Sequence, residues 1–92
     1  VSAVAVVDLA DGQVQAAQLA LTGAWEERAR LADSIDRLVG KSLQEEQIEE
    51  VVSGVLEEVD PPEDFLGTAE YRQAMAGVLT RRALTQCMQT GA

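Results

Sequence analysis

The sequence predicts an α+β fold, in which a small antiparallel β-sheet packs against three α-helices. The first observation is an Asp11-Gly12 pair between two stretches rich in Val and Ala, the strongest short signal for a β-hairpin. The second is that three later stretches carry apolar residues at helical spacing, each bounded by helix-capping or helix-breaking residues. One hairpin followed by three helices is enough for one small domain, and residues 1–92 are predicted to form it.

Residues 1–21 are predicted to form the hairpin, because Asp11-Gly12 tolerates the positive φ that a type I′ turn needs at both positions. Uninterrupted pairing from this turn places Ala10 opposite Gln13, Leu9 opposite Val14, Val7 opposite Ala16, Val6 opposite Ala17 and Val4 opposite Leu19. Alternation then gives two apolar faces. The first holds Val4, Val6, Ala17, Leu19 and Leu21, and the second holds Ala3, Val7, Leu9, Val14, Ala16 and Ala20.

Two apolar faces are unusual for an antiparallel pair, which commonly leaves one face in water. Either small Ala and Val side chains are tolerated at the surface, or another part of a larger protein covers the second face, around Val7, Leu9 and Val14. Two strands are also too few for a stable sheet. A third strand is expected from upstream, from a partner chain, or not at all.

The first two helices are predicted over residues 24–39 and 43–59. Gly40 suits the position after the first helix, and the capping box Ser42-Leu-Gln-Glu45 starts the second. Asp60-Pro61-Pro62 ends the second helix, because prolines cannot continue it. The second helix carries the clearest apolar stripe in the sequence, formed by Ile48, Val51, Val52, Val55, Leu56 and Val59.

The third helix is predicted over residues 69–88, with Thr68 as its N-cap and with an apolar stripe of Tyr71, Met75, Val78 and Leu79. Arg82 falls on this stripe, and Arg28 falls on the apolar face of the first helix. A buried guanidinium needs carboxylate or carbonyl partners, and Asp60 and Asp64 are the nearest acids in sequence to Arg82. A contact of Arg82 with Asp60 or Asp64 is therefore predicted. The alternative is that both arginines cover the core with their stems and keep their charges in water.

The composition excludes several classes of function. A net charge of −9 argues against binding to nucleic acid or to an anionic membrane surface. A single cysteine, Cys87, and the lack of a signal peptide suit a cytoplasmic protein. The chain has no histidine, and no spacing of its acids indicates a tuned carboxylate pair, so no residue is assigned a catalytic, cofactor-binding or metal-binding role.

The order of motifs along nearly the whole chain resembles one family. The motifs are Asp11-Gly12, Gly23, Arg28, Gly40-Lys41-Ser42-Leu43, Asp60-Pro61, Asp64 with Thr68-Ala-Glu-Tyr-Arg72, and Arg81-Arg-Ala-Leu84. This order and spacing is similar to the C-terminal domain of the FAD-binding (medium) subunit of molybdenum hydroxylases, the carbon monoxide dehydrogenase and xanthine dehydrogenase family. The chain departs from the family pattern at Trp25-Glu26-Glu27, where a proline is usual, and at Leu66, where an arginine is usual.

The resemblance implies an α+β sandwich and a non-catalytic role in an oxidoreductase. It implies FAD in the parent subunit, although the glycine loops that bind flavin are absent from this sequence and no FAD is expected on the fragment itself. It also implies partners: the FAD-binding domain of the same chain, and iron–sulfur and molybdopterin subunits. The chain starts in a strand-like stretch without an initiator Met, so we expect a piece of a longer flavoprotein.

Two other functions stay open at this point. The first is a freestanding acidic adaptor that forms a homodimer through the hairpin. The second is an acyl carrier protein, because Asp33-Ser34-Ile35 is similar to a phosphopantetheine attachment site, with Ser34 as the acceptor. The parent substrate and the oligomeric state cannot be derived from this sequence.

Overall fold

A computed structural model describes residues 2–25, 29–61 and 68–90. The strands β1 (Ser2–Ala10), β2 (Gln13–Thr22) and β3 (Ala29–Leu31) form one antiparallel sheet in the order β1-β2-β3. A 3₁₀ helix (Asp33–Leu38) follows, and then come the helices α1 (Glu45–Glu58) and α2 (Ala69–Thr90). One side of the sheet is covered by α2, which packs against β1, and by the 3₁₀ helix, which packs against β2. The predicted α+β class is confirmed.

The hairpin turn is as predicted, but the predicted register fails beyond the first two pairs. Asp11 and Gly12 have φ values of 54° and 77°, as a type I′ turn requires. A bulge between Asp8 and Leu9 then leaves Gln15 without an opposite residue, so that Asp8 pairs with Ala16 and every later pair moves by one. Such a shift moves side chains to the other face of a sheet.

The bulge therefore reverses the predicted exposure of the hairpin. Val7 and Val14 were expected on an uncovered face, yet they are 7% and 1% exposed. Val4 and Val6 are 62% and 61% exposed on the opposite side. Leu19 and Leu21 of β2 lie on the same side as Val7 and Val14 and are fully buried in the core.

The prediction of a helix over 24–39 is wrong. Within this segment, Ala29–Leu31 form β3, which supplies the third strand from downstream, and Asp33–Leu38 form the short 3₁₀ helix. The pairing continues past β3, since the N–H of Ala32 donates to the carbonyl of Leu19 at 2.7 Å. The free edge of β2 offers backbone partners at this point, and this tertiary pairing overrides the helix propensity of an Ala-, Glu- and Arg-rich segment.

The two long helices lie close to their predicted bounds, with one difference in capping. In α1 the N-cap is Gln44 without a side-chain hydrogen bond, so the predicted capping box at Ser42 is wrong. In α2 the predicted cap is confirmed, because Thr68 Oγ1 accepts a hydrogen bond from the N–H of Tyr71 at 3.1 Å. The predicted stripe of α1 is buried except at Leu56, which is 36% exposed.

The predicted orientation of α2 about its own axis is wrong. Tyr71 was expected on the buried stripe but is 60% exposed, and Arg82 is also exposed. The residues that α2 buries are mostly small, and Ala76, Thr80 and Leu84 are fully buried. Small side chains let α2 approach α1 and the alanines of β1 closely, and this close packing decides which face turns inward.

Candidate functional site

One side of the sheet faces solvent and carries several exposed apolar side chains; we call it the outer sheet face. Its exposed residues come from all three strands, because Val4 lies opposite Ala20 and Ala20 lies opposite Leu31. Leu31 is 54% exposed, close to the values for Val4 and Val6. Exposed apolar side chains that are adjacent in space are typical of surfaces that contact another protein or domain. The apolar members of the outer sheet face are Val4, Val6, Ala16, Ala20 and Leu31, and the polar residues Asp8 and Gln18 lie on the same side.

A groove runs beside the first strand, between β1 and the C-terminal half of α2; we call it the β1–α2 groove. It has a volume of about 440 Å³ and is lined by Ala3, Val4, Ala5, Ala83, Gln86 and Cys87. The thiol of Cys87 donates to the carbonyl of Ala5 at 3.8 Å, a contact that joins the two walls. Burial raises the pKa of this thiol. The groove therefore combines an edge strand with an uncharged, small-residue wall.

A polar junction ties the 3₁₀ helix to the end of α1. Glu58 accepts hydrogen bonds from the N–H of Asp33 at 2.8 Å, from the N–H of Ser34 at 3.0 Å and from the hydroxyl of Ser34 at 2.6 Å. Its carboxylate thus satisfies N–H groups at the start of the 3₁₀ helix, where side-chain caps are otherwise absent. Because Ser34 is only 8% exposed and its hydroxyl is bonded, it is a poor acceptor for a prosthetic arm.

An aromatic side chain extends this junction. The indole N–H of Trp25 donates to the carbonyl of Glu58 at 3.2 Å, and the guanidinium carbon of Arg30 lies 4.6 Å from the centre of the Trp25 ring. A cleft of about 400 Å³ opens beside these groups, lined by Arg30, Asp33, Ser34, Arg37, Gly54, Glu57 and Glu58. Its arginines and acids are mixed, so the charge of this cleft does not favour either an anion or a cation. We assign the junction a structural role.

Stability should depend on pH through Glu58. Burial acts to raise the pKa of its carboxyl, but the hydrogen bonds from Ser34 and Asp33, with the charge of Arg30 nearby, hold the pKa below its ordinary value of 4.5. A lowered folded-state pKa means that the charged group adds stability above pH 4.5, and that this stability is lost as the pH falls through the folded-state pKa.

We therefore expect Glu58→Gln to destabilise the protein at neutral pH and to cost progressively less in increasingly acidic buffer. Urea unfolding at a series of pH values measures this difference. Glu46→Gln, on the exposed face of the same helix, is the control and should change the free energy of unfolding by less than about 0.5 kcal/mol at neutral pH. A Glu58→Gln effect that stays constant at all pH values would contradict the assigned role of this carboxylate.

Gly54 should resist substitution although it lies inside a helix. A Cβ there would lie 2.7 Å from Ser34 Oγ and 2.9 Å from Arg37 Nη1, and the hydroxyl is held by Glu58. Gly54→Ala should therefore destabilise by about 1–3 kcal/mol, although alanine is the better helix former.

Gly77→Ala is the matched control for Gly54→Ala. A Cβ at Gly77 would meet Cδ2 of Leu56 at 3.0 Å, the end of a flexible and partly exposed side chain. This variant should be neutral or more stable by up to about 1 kcal/mol. Thermal unfolding of both variants measures the contrast, and equal effects would show that Ser34 yields as easily as Leu56.

The structure does not bring the sequence-predicted residues together into one site. Arg28 and Asp64 lie outside the described residues, so their predicted contacts stay predictions. Asp60 is exposed, and its N–H donates to the carbonyl of Ala24 at 3.0 Å.

Arg82 lines an exposed hollow on α2, which contradicts its predicted place on the buried stripe. Its neighbour Arg81 is the arginine that forms a two-fold ion pair, with Glu49 at 2.7 and 2.9 Å.

Sequence reasoning missed the β1–α2 groove and the polar junction. The groove depends on the orientation of α2, and no local pattern reports that orientation. In residues 2–25, 29–61 and 68–90, no three side chains of the His, Cys, Asp and Glu types gather closely enough to hold a metal ion. Neither α1 nor α2 combines the length and hydropathy that a membrane-crossing helix needs.

Comparison with known proteins gives matches over most of the chain. A family model described as CO dehydrogenase flavoprotein C-terminal domain matches residues 1–87. The carbon monoxide dehydrogenase medium chain of Hydrogenophaga pseudoflava is 33% identical over 67 residues, which are 73% of this chain and 23% of that protein. The glyceraldehyde dehydrogenase medium chain of Sulfolobus acidocaldarius is 25% identical over 80 residues, which are 87% of this chain and 28% of that protein.

Solved structures give the same grouping. A carbon monoxide dehydrogenase from Hydrogenophaga pseudoflava superposes with a TM-score of 0.82 at 30% identity, over 90% of this chain and 29% of that chain. Quinoline 2-oxidoreductase from Pseudomonas putida 86 also superposes with a TM-score of 0.82 at 30% identity, over 94% of this chain and 30% of that chain. The chain spans less than a third of each of these proteins.

Proposed function

We propose, from the premise that this chain belongs to the CO dehydrogenase flavoprotein C-terminal domain family, that it is a non-catalytic domain of an FAD-binding subunit. Its role is to support the flavin-binding domain and to help the subunit dock to iron–sulfur and molybdenum-cofactor subunits during electron transfer. The parent enzyme is then a molybdenum-containing hydroxylase or dehydrogenase, with FAD held elsewhere in the subunit.

The observation that carries this proposal is the match over residues 1–87 together with the two superpositions at a TM-score of 0.82. The surface is consistent with a supporting role. The outer sheet face leaves Val4, Val6 and Leu31 more than half exposed, which is costly in water and favourable against a neighbouring domain. The acids of α1 lie on another surface, where Glu49 and Glu50 are exposed and bonded to Arg81 and Lys41.

A freestanding dimerising adaptor is the second candidate, and the outer sheet face is also the observation that favours it. Two copies could cover the valines of each other. The two candidates differ in the cofactors that purify with the protein, since an adaptor carries neither flavin nor metal. The acyl carrier alternative is not supported, because Ser34 is buried and bonded to Glu58 and the family is a different one.

The test is to purify the full-length protein that contains this chain through an affinity tag and to analyse its composition. We expect FAD, iron and molybdenum in fixed ratios, measured by flavin release and by metal analysis. A homogeneous dimer without flavin or metal would support the adaptor instead. A phosphopantetheine mass on the peptide that contains Ser34 would overturn both.

A further inference from the structure

We propose that the β1–α2 groove holds an extended, uncharged segment from the flavin-binding part of the same subunit, which adds to the free edge of β1 as a fourth strand. This inference rests on the proposed function and names the surface by which the domain is attached. Main-chain hydrogen bonds to β1 would supply affinity, and the groove would accept alternate side chains of the added strand.

The edge of β1 that lies away from β2 supports this inference. Among the described residues, β1 pairs only with β2, so the other edge of its nine residues is open. Natural edge strands are commonly shortened, covered, or protected by proline or by inward-pointing charge. β1 is long, contains no proline, and carries Asp8 as its one charged residue, near the hairpin end. An edge of this kind is suited to pairing with another strand.

The β1–α2 groove has the form that an added strand needs. Ala3 and Ala5 of β1 face α2, and Ala83 and Cys87 of α2 form the facing wall. These side chains are small, so α2 leaves a volume of about 440 Å³ beside the strand edge, within the range of ligand-sized clefts. Side chains on alternate positions of an incoming strand would enter this space.

The lining of the β1–α2 groove differs in charge from the chain as a whole. The chain carries a net charge of −9, yet none of the groove-lining residues Ala3, Val4, Ala5, Ala83, Gln86 and Cys87 is charged. A basic partner attracted by the acidic chain would find its counter-charges on α1, where Glu45, Glu46 and Glu57 are exposed, and not here. The groove therefore fits a segment that is uncharged where it faces α2.

A second copy of this chain fits the edge of β1 less well than a single extended segment does. Antiparallel pairing of two β1 edges would bring the strands to about 4.8 Å from each other. Each β1 has its own α2 packed against the inner face, and two packed helices need about 8–10 Å between their axes. The two α2 helices would therefore overlap on the inner side of the joined sheet. A single extended segment avoids this clash because it brings no helix with it.

A segment of the same subunit is a suitable source for the added strand. The chain spans 23–30% of the relatives and structures that it matches, so their subunits contain other polypeptide that can reach this edge. A segment in the same polypeptide acts at an effective concentration in the millimolar range for short flexible linkers. Strand addition within the subunit would therefore be favoured over capture of a separate peptide.

The test uses the full-length subunit and needs no variant at first. Hydrogen exchange resolved to single amides should show slow exchange along all of residues 3–7, because both edges of β1 would be bonded. We expect the amides that face away from β2 to exchange at least about 100-fold more slowly than in an unstructured peptide. Fast exchange at every second amide would overturn the inference.

Cys87 provides a second measurement, because it lines the groove and is the single cysteine of the chain. Alkylation by N-ethylmaleimide, followed by mass spectrometry of the peptide that contains Cys87, reports whether the groove is filled. Ala83→Glu places a charged side chain into the groove and should speed this alkylation by about 10-fold or more as the added strand leaves. Ala74→Glu makes the same change at an exposed position of α2 and should leave the rate unchanged.

The outcomes separate this inference from the proposed function. If the purified subunit contains flavin but Cys87 and the edge amides react freely, the inference is wrong and the proposed function stands. If flavin and metals are absent from the purified subunit, the proposed function is wrong, and the inference that rests on it is wrong as well. Native mass spectrometry covers the remaining occupant, because protection of residues 3–7 that is present only in a dimer would assign the groove to a second copy and overturn the inference.

Discussion

Replacing Val55 by aspartate should abolish cooperative folding of the domain. Val55 is fully buried on α1, among side chains of the core that include Val51 and Val52, and none of the core side chains that the structure describes is cationic. An unpaired charge in such a position costs several kcal/mol, and effects above about 4 kcal/mol belong to this kind of change. Circular dichroism during urea unfolding should show no native baseline.

The control for this variant is Ser53→Asp, which puts the same side chain on the exposed face of the same helix. Repulsion from neighbouring acids such as Glu49 should cost no more than about 0.5 kcal/mol. A folded Val55→Asp protein with a stability near that of Ser53→Asp would mean that α1 turns a different face toward the core.

Leu84→Ala should be the most damaging truncation on α2. Leu84 is fully buried and holds α2 against the rest of the core, so its removal leaves a cavity that rigid neighbours fill only in part. We expect a loss of about 2–5 kcal/mol in the free energy of unfolding, measured by chemical denaturation.

Leu79→Ala is the same truncation on the same helix, at a position that is only partly buried. It should cost about 1 kcal/mol or less, because less apolar area is exposed by the change. The comparison decides between the two orientations of α2. The apolar stripe in the sequence places Leu79 inward, whereas the structure places Leu84 there, so a larger effect at Leu79 would contradict the structure.

Features governed by local chemistry could be predicted from the sequence. The hairpin turn follows from the φ values that Asp11 and Gly12 can adopt, and the start of α2 follows from the hydroxyl of Thr68. The helix α1 was predictable because its stripe is regular and two prolines follow it. In each case the residues that decide the structure are neighbours in the chain.

Features governed by distant partners could not be predicted. The bulge at Asp8–Leu9 lets Val14 and Leu19 share the buried side of the sheet, although their spacing is odd and simple alternation would separate them. The strand β3 forms because β2 has an edge to offer, not because residues 29–31 prefer extended structure. The side of α2 that faces the core is chosen by fit to Ala3 and Ala5, some eighty residues away.

The same dependence limited what could be said of the candidate site. The family resemblance gave the class of protein, while the β1–α2 groove requires both the register of β1 and the orientation of α2. Both of these predictions were wrong. As a result, Val7 and Val14 were expected to be the exposed valines of the hairpin, whereas Val4 and Val6 are exposed. The predicted place of Arg82 on the buried stripe was wrong for the same reason, since the turn of α2 that buries Leu84 carries Arg82 into solvent.

The packing of α2 against β1 sets the order in which the protein can be completed during its synthesis. The contact between Cys87 and Ala5 joins positions 82 residues apart, whereas the hairpin, the 3₁₀ helix and α1 close over much shorter loops. A growing chain can therefore assemble those parts first, but the inner side of β1 keeps its apolar surface open until α2 has left the ribosome. During that interval the edge and both faces of β1 are uncovered, and a nascent chain that stalls before Leu84 is the form most exposed to aggregation and to chaperone binding.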